Sequence, residues 1–113
     1  MLALPFAAGA VDFSKQKLSF NDVQTISAAI YKIEGGDKTK YPYGVMSINT
    51  HGDKDKAKKV CINTINNNFA RWIKAGRKND FLTYLANVYC PPSADKTGNS
   101  NWIKNVHKMI KNN

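Results

Sequence analysis

A small, mainly helical domain follows from this chain of 113 residues, and three observations predict it. Apolar residues recur at spacings of three and four over four separate stretches. The stretches are bounded by aspartate, asparagine or serine in front and by glycine or proline behind. Only residues 41–50 favour extended structure. The length admits one hydrophobic core. The expectation is therefore a mainly α (α+β) domain over residues 11–113, with about four helices and a short β-hairpin or extended segment near 41–50.

The first helix carries Val23, Ile26, Ile30 and Ile33, with Asn21 or Asp22 as its cap and Gly35 as its stop. A second, the longest, starts at Asp53 or Asp55 and runs to Ala75, with Ala57, Cys61, Ile65, Phe69 and Trp72 or Ile73 inward and Gly76 ending it. A third begins behind Asp80 and places Phe81, Leu82, Leu85, Val88 and Tyr89 on one face until Cys90-Pro91-Pro92 breaks it. The fourth follows Asn99-Ser100-Asn101, with Trp102, Ile103, Val106, Met109 and Ile110 on one face. Between the first two, Tyr43, Val45 and Ile48 favour a strand, and Pro42 keeps Tyr41 out of the α region.

Lysine and arginine number 17 against 8 acidic residues, a formal charge of +9, so a polyanion or an anionic surface is the expected partner. Fifteen of the basic residues are lysines and two are arginines. This argues against base-specific nucleic-acid recognition, for which arginine forks are the usual tool. Residues 1–10 are apolar and end in Ala8-Gly9-Ala10, like the tail of a secretory leader, although no basic segment precedes them. A leader remnant and a flexible arm both fit, and a leader would put the protein outside the cell or in the periplasm. Nothing later is long and apolar enough to span a membrane. Cys61 and Cys90 fit a disulfide after export or two free thiols otherwise. Their spacing, with His51 and His107 lacking matching partners, gives no metal site, and no cofactor is expected.

The residue with the clearest chemical promise is Glu34, the sole glutamate of the chain, in the last turn of the first helix and before Gly35-Gly36. A carboxylate there faces the negative end of the helix dipole, which disfavours ionisation and, with desolvation, raises the pKa. Such a group is suited to general acid catalysis. The plain alternative is a surface glutamate at a helix end, paired with Lys38 or Lys40.

A glutamate closing a helix, followed by Tyr43-Gly44-Val45-Met46-Ser47-Ile48-Asn49, resembles the signature of the lysozyme-like superfamily, which covers lysozymes and lytic transglycosylases. There the catalytic glutamate ends a helix and a Gly-apolar-apolar-Gln-apolar segment lines the same cleft. The resemblance spans residues 34–49, and a helical remainder agrees with it. It implies a monomeric peptidoglycan-cleaving enzyme acting on the β-1,4 bond between N-acetylmuramic acid and N-acetylglucosamine, with Glu34 as general acid and base. Tyr43, Gly44, Ser47, Asn49 and Tyr89 would contact substrate, in the cell envelope or outside the cell.

Three departures matter. Ser47 stands where the family has glutamine. The loop after Glu34 is short. Pro42 occupies the place where animal-type lysozymes carry a second catalytic aspartate. Hydrolysing glycosidases ordinarily need two carboxylates, and Asp37, Asp53 and Asp55 each have a plain reading as turn or cap residues. One glutamate suffices for a lytic transglycosylase, in which the substrate's own 6-hydroxyl closes an anhydro ring. That outcome is favoured over muramidase hydrolysis.

Other assignments carry competing readings. Trp72 and Trp102 could stack on sugar rings, but at helical spacing among apolar neighbours they read as core residues. Asn63, Asn66, Asn67 and Asn68 read as a solvated helix face. Two rival functions remain open: a basic wall-glycan-binding or inhibitory protein on the same fold, and a helical nucleic-acid-binding protein using Lys54, Lys56, Lys58 and Lys59.

Overall fold

The computed structural model describes residues 11–36 and 53–111, which form four α-helices and no strand. Helix α1 spans Phe20–Ile33, α2 Lys54–Lys74, α3 Phe81–Tyr89 and α4 Lys96–Lys111. The mainly α expectation holds for these residues. The hairpin expected near 41–50 and the arm at 1–10 lie outside them.

Each helix begins where a short polar side chain can take an orphan backbone N–H. Ser19 is the cap of α1, its hydroxyl accepting from the Asp22 amide at 3.0 Å. The cap is thus not Asn21 or Asp22, which fall inside the helix because the serine two or three residues earlier already satisfies its first turn. Asp53 accepts from the Lys56 amide at 3.0 Å and Asp80 from the Thr83 amide at 3.0 Å, as the sequence suggests for α2 and α3. For α4, Asp95 accepts from the Gly98 amide at 2.8 Å. The helix therefore starts one turn ahead of Asn99-Ser100-Asn101, which lie within it.

The helices pack in a ring. Helix α1 contacts α2 and α4, and α3 contacts the same two. Ile26, Ala29 and Ile30 of α1 are buried against Ala57, Cys61, Ile65, Phe69 and Trp72 of α2, Phe81, Leu82, Leu85 and Ala86 of α3, and Trp102, Val106 and Ile110 of α4, and Val23 is also buried. Two residues expected on inward faces are exposed, Val88 at 48% and Met109 at 36%, and Ile33, Tyr89 and Ile103 are partly buried. At about 100° per residue, the stripe of α3 is centred between Leu82 and Leu85, and Ala86 and Tyr89 fall nearer that centre than Val88. Met109 is likewise on the rim of the stripe set by Trp102, Val106 and Ile110.

At one end of the ring the core is aromatic. Phe81 is fully buried and meets Phe69 edge-on at 5.1 Å, Trp72 at 5.6 Å and Phe13 at 5.8 Å between ring centroids. Trp72 directs its indole N–H to the carbonyls of Lys78 and Asn79, at 3.1 and 3.3 Å, so the core reading of this residue holds. The segment before α1 is fastened here by Arg77. Its guanidinium donates to the Phe13 carbonyl at 2.6 Å and the Lys15 carbonyl at 2.9 Å and lies over the Trp72 ring at 5.3 Å. His107 of α4 sits 3.6 Å from the Asp80 carboxylate, an ion pair only when the imidazole is protonated.

This clamp predicts that Arg77→Ala destabilises the fold by about 1–3 kcal/mol, measured by urea unfolding, and that Arg77→Lys restores only part of the loss because lysine cannot fork to two carbonyls. Equal stability of all three proteins would mean that the clamp contributes nothing.

Candidate active site around Glu34

The opposite end of the ring gathers the C-terminus of α1, the first half of α2, the C-terminus of α3 and the early turns of α4. Helix α1 ends because Gly35 and Gly36 adopt φ of +104° and +56°, a backbone open to glycine and strained for residues with a Cβ. Glu34 is the C-cap, with its amide on the Ile30 carbonyl at 2.9 Å. Its side chain is half-buried.

The carboxyl meets α4. The Trp102 indole N–H donates to Glu34 Oε2 at 3.1 Å. Trp102 is itself 4% exposed, and its ring stacks on Tyr89, with centroids 5.5 Å apart and planes 13° from parallel. The Tyr89 hydroxyl donates onward to Cys61 Sγ at 3.4 Å. Glu34, Trp102, Tyr89 and Cys61 thus join all four helices in one polar cluster at the margin of an apolar core.

Trp102 is placed by the turn before it. Pro91 and Pro92 cannot continue α3, and Cys90 turns to φ −149° and ψ 75° as a residue preceding proline must. Asn99 of α4 reaches back with its amide to the Cys90 carbonyl at 2.8 Å. The approach is close: a Cβ on Gly98 would lie 2.5 Å from Asp95 Oδ2 and 3.1 Å from Cys90 Sγ. A side chain at 98 would displace the Asp95 carboxylate that caps α4, and one turn later the chain delivers Trp102 to Glu34.

The electrostatics single out Glu34. Burial holds its carboxyl above the ordinary value of 4.5, and the Trp102 hydrogen bond opposes that rise by favouring the carboxylate. Burial pushes the Cys61 thiol up to about 11, with the Tyr89 hydrogen bond acting against this and the Glu34 charge adding to it. Burial, and then the proximity of Cys61 and Glu34, raises the Tyr89 phenol strongly. Desolvation, Asp95 and Glu34 raise Cys90. The two thiols are free and remain protonated near neutral pH, so neither is an activated nucleophile. Glu34 is the carboxyl of this cluster, and burial moves its titration upward from the ordinary glutamate value.

Among the sequence-predicted site residues, Glu34 and Tyr89 come together, while Tyr43, Gly44, Ser47 and Asn49 lie outside the described residues. Asp37, Lys38, Lys40 and His51 lie outside them as well. Of the candidate second carboxylates, Asp53 caps α2 and Asp55 is exposed in its first turn. In the asparagine cluster, Asn63, Asn66 and Asn67 are exposed, whereas Asn68 is buried and donates to the Thr64 carbonyl at 2.8 Å. Trp102, expected in the core, and Cys61, expected as a disulfide partner or a buried thiol, are the members not placed among the site residues by the sequence. The available signal was the indole donor itself: a buried tryptophan N–H needs an acceptor, and the chain has one glutamate. No group of three or more potential metal ligands occurs among the described residues, and no helix among them is long and apolar enough to cross a membrane.

Comparison with protein-family models, with curated proteins and with solved structures finds no match to this chain.

A carboxyl with a raised native pKa has a definite effect on stability. Below the ordinary glutamate range both folded and unfolded chains hold the proton and Glu34 imposes no penalty. As pH rises from that range through the raised native value, the unfolded chain releases its proton first and the fold loses stability. Glu34→Gln keeps an acceptor for Trp102 and removes the charge. It is expected to be more stable than the parent at pH 8 and equal to it near pH 3, by urea unfolding at both values. A parent that is the more stable of the two at pH 8 would contradict the raised pKa.

Proposed function

We propose that the protein cleaves the glycan strands of peptidoglycan at the β-1,4 bond between N-acetylmuramic acid and N-acetylglucosamine, as a lytic transglycosylase. The observation that carries this reading is a half-buried glutamate, its carboxyl held above its ordinary pKa, at the C-terminus of α1 against Tyr89 and the Trp102 indole. A carboxyl of this kind holds its proton to higher pH than an exposed glutamate and can both give it up and take one back. The resemblance of residues 34–49 to the lysozyme-like superfamily supports the same assignment and supplies the substrate class.

In the reaction, protonated Glu34 donates to the glycosidic oxygen as the bond from that oxygen to muramic C1 breaks. The leaving N-acetylglucosamine end departs as an alcohol. The Glu34 carboxylate then takes the proton from the muramic 6-hydroxyl while that oxygen bonds to C1, closing a 1,6-anhydro ring. Glu34 ends protonated and no water is consumed. Of the candidate second carboxylates, Asp37 lies outside the described residues, and the cap role of Asp53 and the exposure of Asp55 support this over hydrolysis, which calls for a second carboxylate across the scissile bond.

Tyr89 forms part of the cleft wall in this reading, and Tyr43, Gly44, Ser47 and Asn49 supply sugar contacts. The charge of +9 draws the protein to the anionic wall and makes its action sensitive to salt. A wall enzyme of this kind works in the periplasm or outside the cell.

The test is digestion of purified peptidoglycan by the parent and by Glu34→Gln, with soluble muropeptides identified by mass. The parent is expected to release anhydro-muramyl ends, and the variant to be slower by about 10²–10⁴-fold. Reducing muramic ends would establish hydrolysis instead. No release from several wall types, with the protein bound to them, would replace the enzyme by a wall-binding protein.

A further inference from the structure

Glu34 has two carboxyl oxygens, and the structure treats them differently. Oε2 accepts the Trp102 indole N–H at 3.1 Å. An indole nitrogen donates and never accepts. In the acid form of a carboxyl, one oxygen carries the proton and the other is carbonyl-like, and the carbonyl-like oxygen is the better acceptor. A donor fixed on Oε2 therefore assigns the proton to Oε1.

The donor is itself fixed. Trp102 is buried, stacks on Tyr89, and stands one turn after Asn99, whose amide bonds the Cys90 carbonyl. Tyr89 is anchored in turn by its hydroxyl on Cys61 Sγ at 3.4 Å. That bond commits the phenolic proton to Cys61, so Tyr89 does not compete with Trp102 as a donor to Glu34. The groups facing the carboxyl from α2, α3 and the α3–α4 turn are Cys61, Tyr89 and Cys90, all uncharged at neutral pH. Trp102, from α4, is neutral at every pH. Among the described residues, the position of the Glu34 proton is thus set by one hydrogen bond rather than by a neighbouring charge.

We propose that Trp102 is a positioning residue for the reaction, which reserves Oε2 of Glu34 as acceptor and presents Oε1 as the oxygen that gives and recovers the proton. This rests on the reading of Glu34 as general acid and base. It differs from a packing role in the sign of its effect. If Trp102 only packed, its removal would admit water and return the Glu34 carboxyl toward its ordinary value. If the indole N–H is the essential feature, its removal with the site still closed withdraws a bond that favours the carboxylate, and the Glu34 pKa rises.

The experiment compares the parent with Trp102→Phe and with a second variant carrying a benzothienyl side chain at 102, which replaces the N–H by sulfur at nearly the same volume. The second variant keeps the test decisive if the smaller phenylalanine fails to fold. Glu34 is the sole glutamate, so ¹³Cδ labelling of glutamate gives one carboxyl resonance to follow against pH. Both variants are expected to titrate at higher pH than the parent. Their peptidoglycan release should fall by about 10- to 100-fold in kcat, with the alkaline limb of the pH–rate profile displaced upward together with the titration. A midpoint that stays in place, or moves down, overturns the proposal. A midpoint that rises with no loss of kcat overturns the selection of the reacting oxygen. A parent that releases no muropeptides sinks the glycosidase reading instead, and the titration alone then decides whether the indole governs the Glu34 proton.

Discussion

The bond from the Trp102 indole to the Glu34 carboxyl connects the first helix of the chain to the last, across 68 positions of sequence. Much of the surrounding structure can be understood as what that bond requires. A carboxyl cannot be half-buried beside an apolar core without a donor, and an indole cannot be nine-tenths buried without an acceptor. Each group satisfies the other. The Tyr89 ring fixes the indole plane, and the Cys61 thiol receives the Tyr89 proton. Among the described residues no buried polar side-chain atom is left without a partner. The cluster is closed in hydrogen bonding yet reaches the surface through Glu34.

The two ends of the helical ring divide the work. At one end Phe13, Phe69, Trp72 and Phe81 pack as an aromatic core, and Arg77 fastens the segment before α1. This end supplies apolar burial with the indole of Trp72 directed at backbone carbonyls. At the other end the same residue type, as Trp102, is directed at a titratable carboxyl. Helix α2 runs through both, contributing Cys61 near its start and Phe69 and Trp72 near its finish. A rigid apolar end thus supports a polar end whose geometry must be held for chemistry, consistent with placing reactive groups on packed helices rather than on loops.

The helices were legible because their signals are local. Asp53 and Asp80 mark true N-termini and Gly35, Gly76 and Pro91-Pro92 true ends, since capping and proline chemistry involve only near neighbours. The start of α4 was less so. Asp95 lies only three residues beyond Pro92 and caps the helix earlier than the asparagine-serine run that follows. Ser19 likewise precedes two equally good capping types, and propensity alone does not choose among them. Glu34 could be singled out from its position and its uniqueness. Its donor could not, because the Trp102 contact depends on how α4 begins against Cys90, where Asn99 bonds the Cys90 carbonyl, and this leaves no periodic trace. Tyr89 was drawn to the site by resemblance, while the Cys61 partner that orients it reads in sequence as one more apolar position of α2.

The most direct test follows the tryptophan side-chain resonances of the ¹⁵N-labelled parent from pH 3 to pH 9. The chain holds two tryptophans, so each is the other's control. The indole N–H of Trp102 should titrate in one step with its midpoint above 4.5, moving downfield as Glu34 ionises and its hydrogen bond strengthens. The indole of Trp72, bonded to the Lys78 and Asn79 carbonyls, should stay in place. A Trp102 resonance that does not move, or one that titrates at or below the ordinary glutamate value, would contradict the account of a desolvated carboxyl held by that indole.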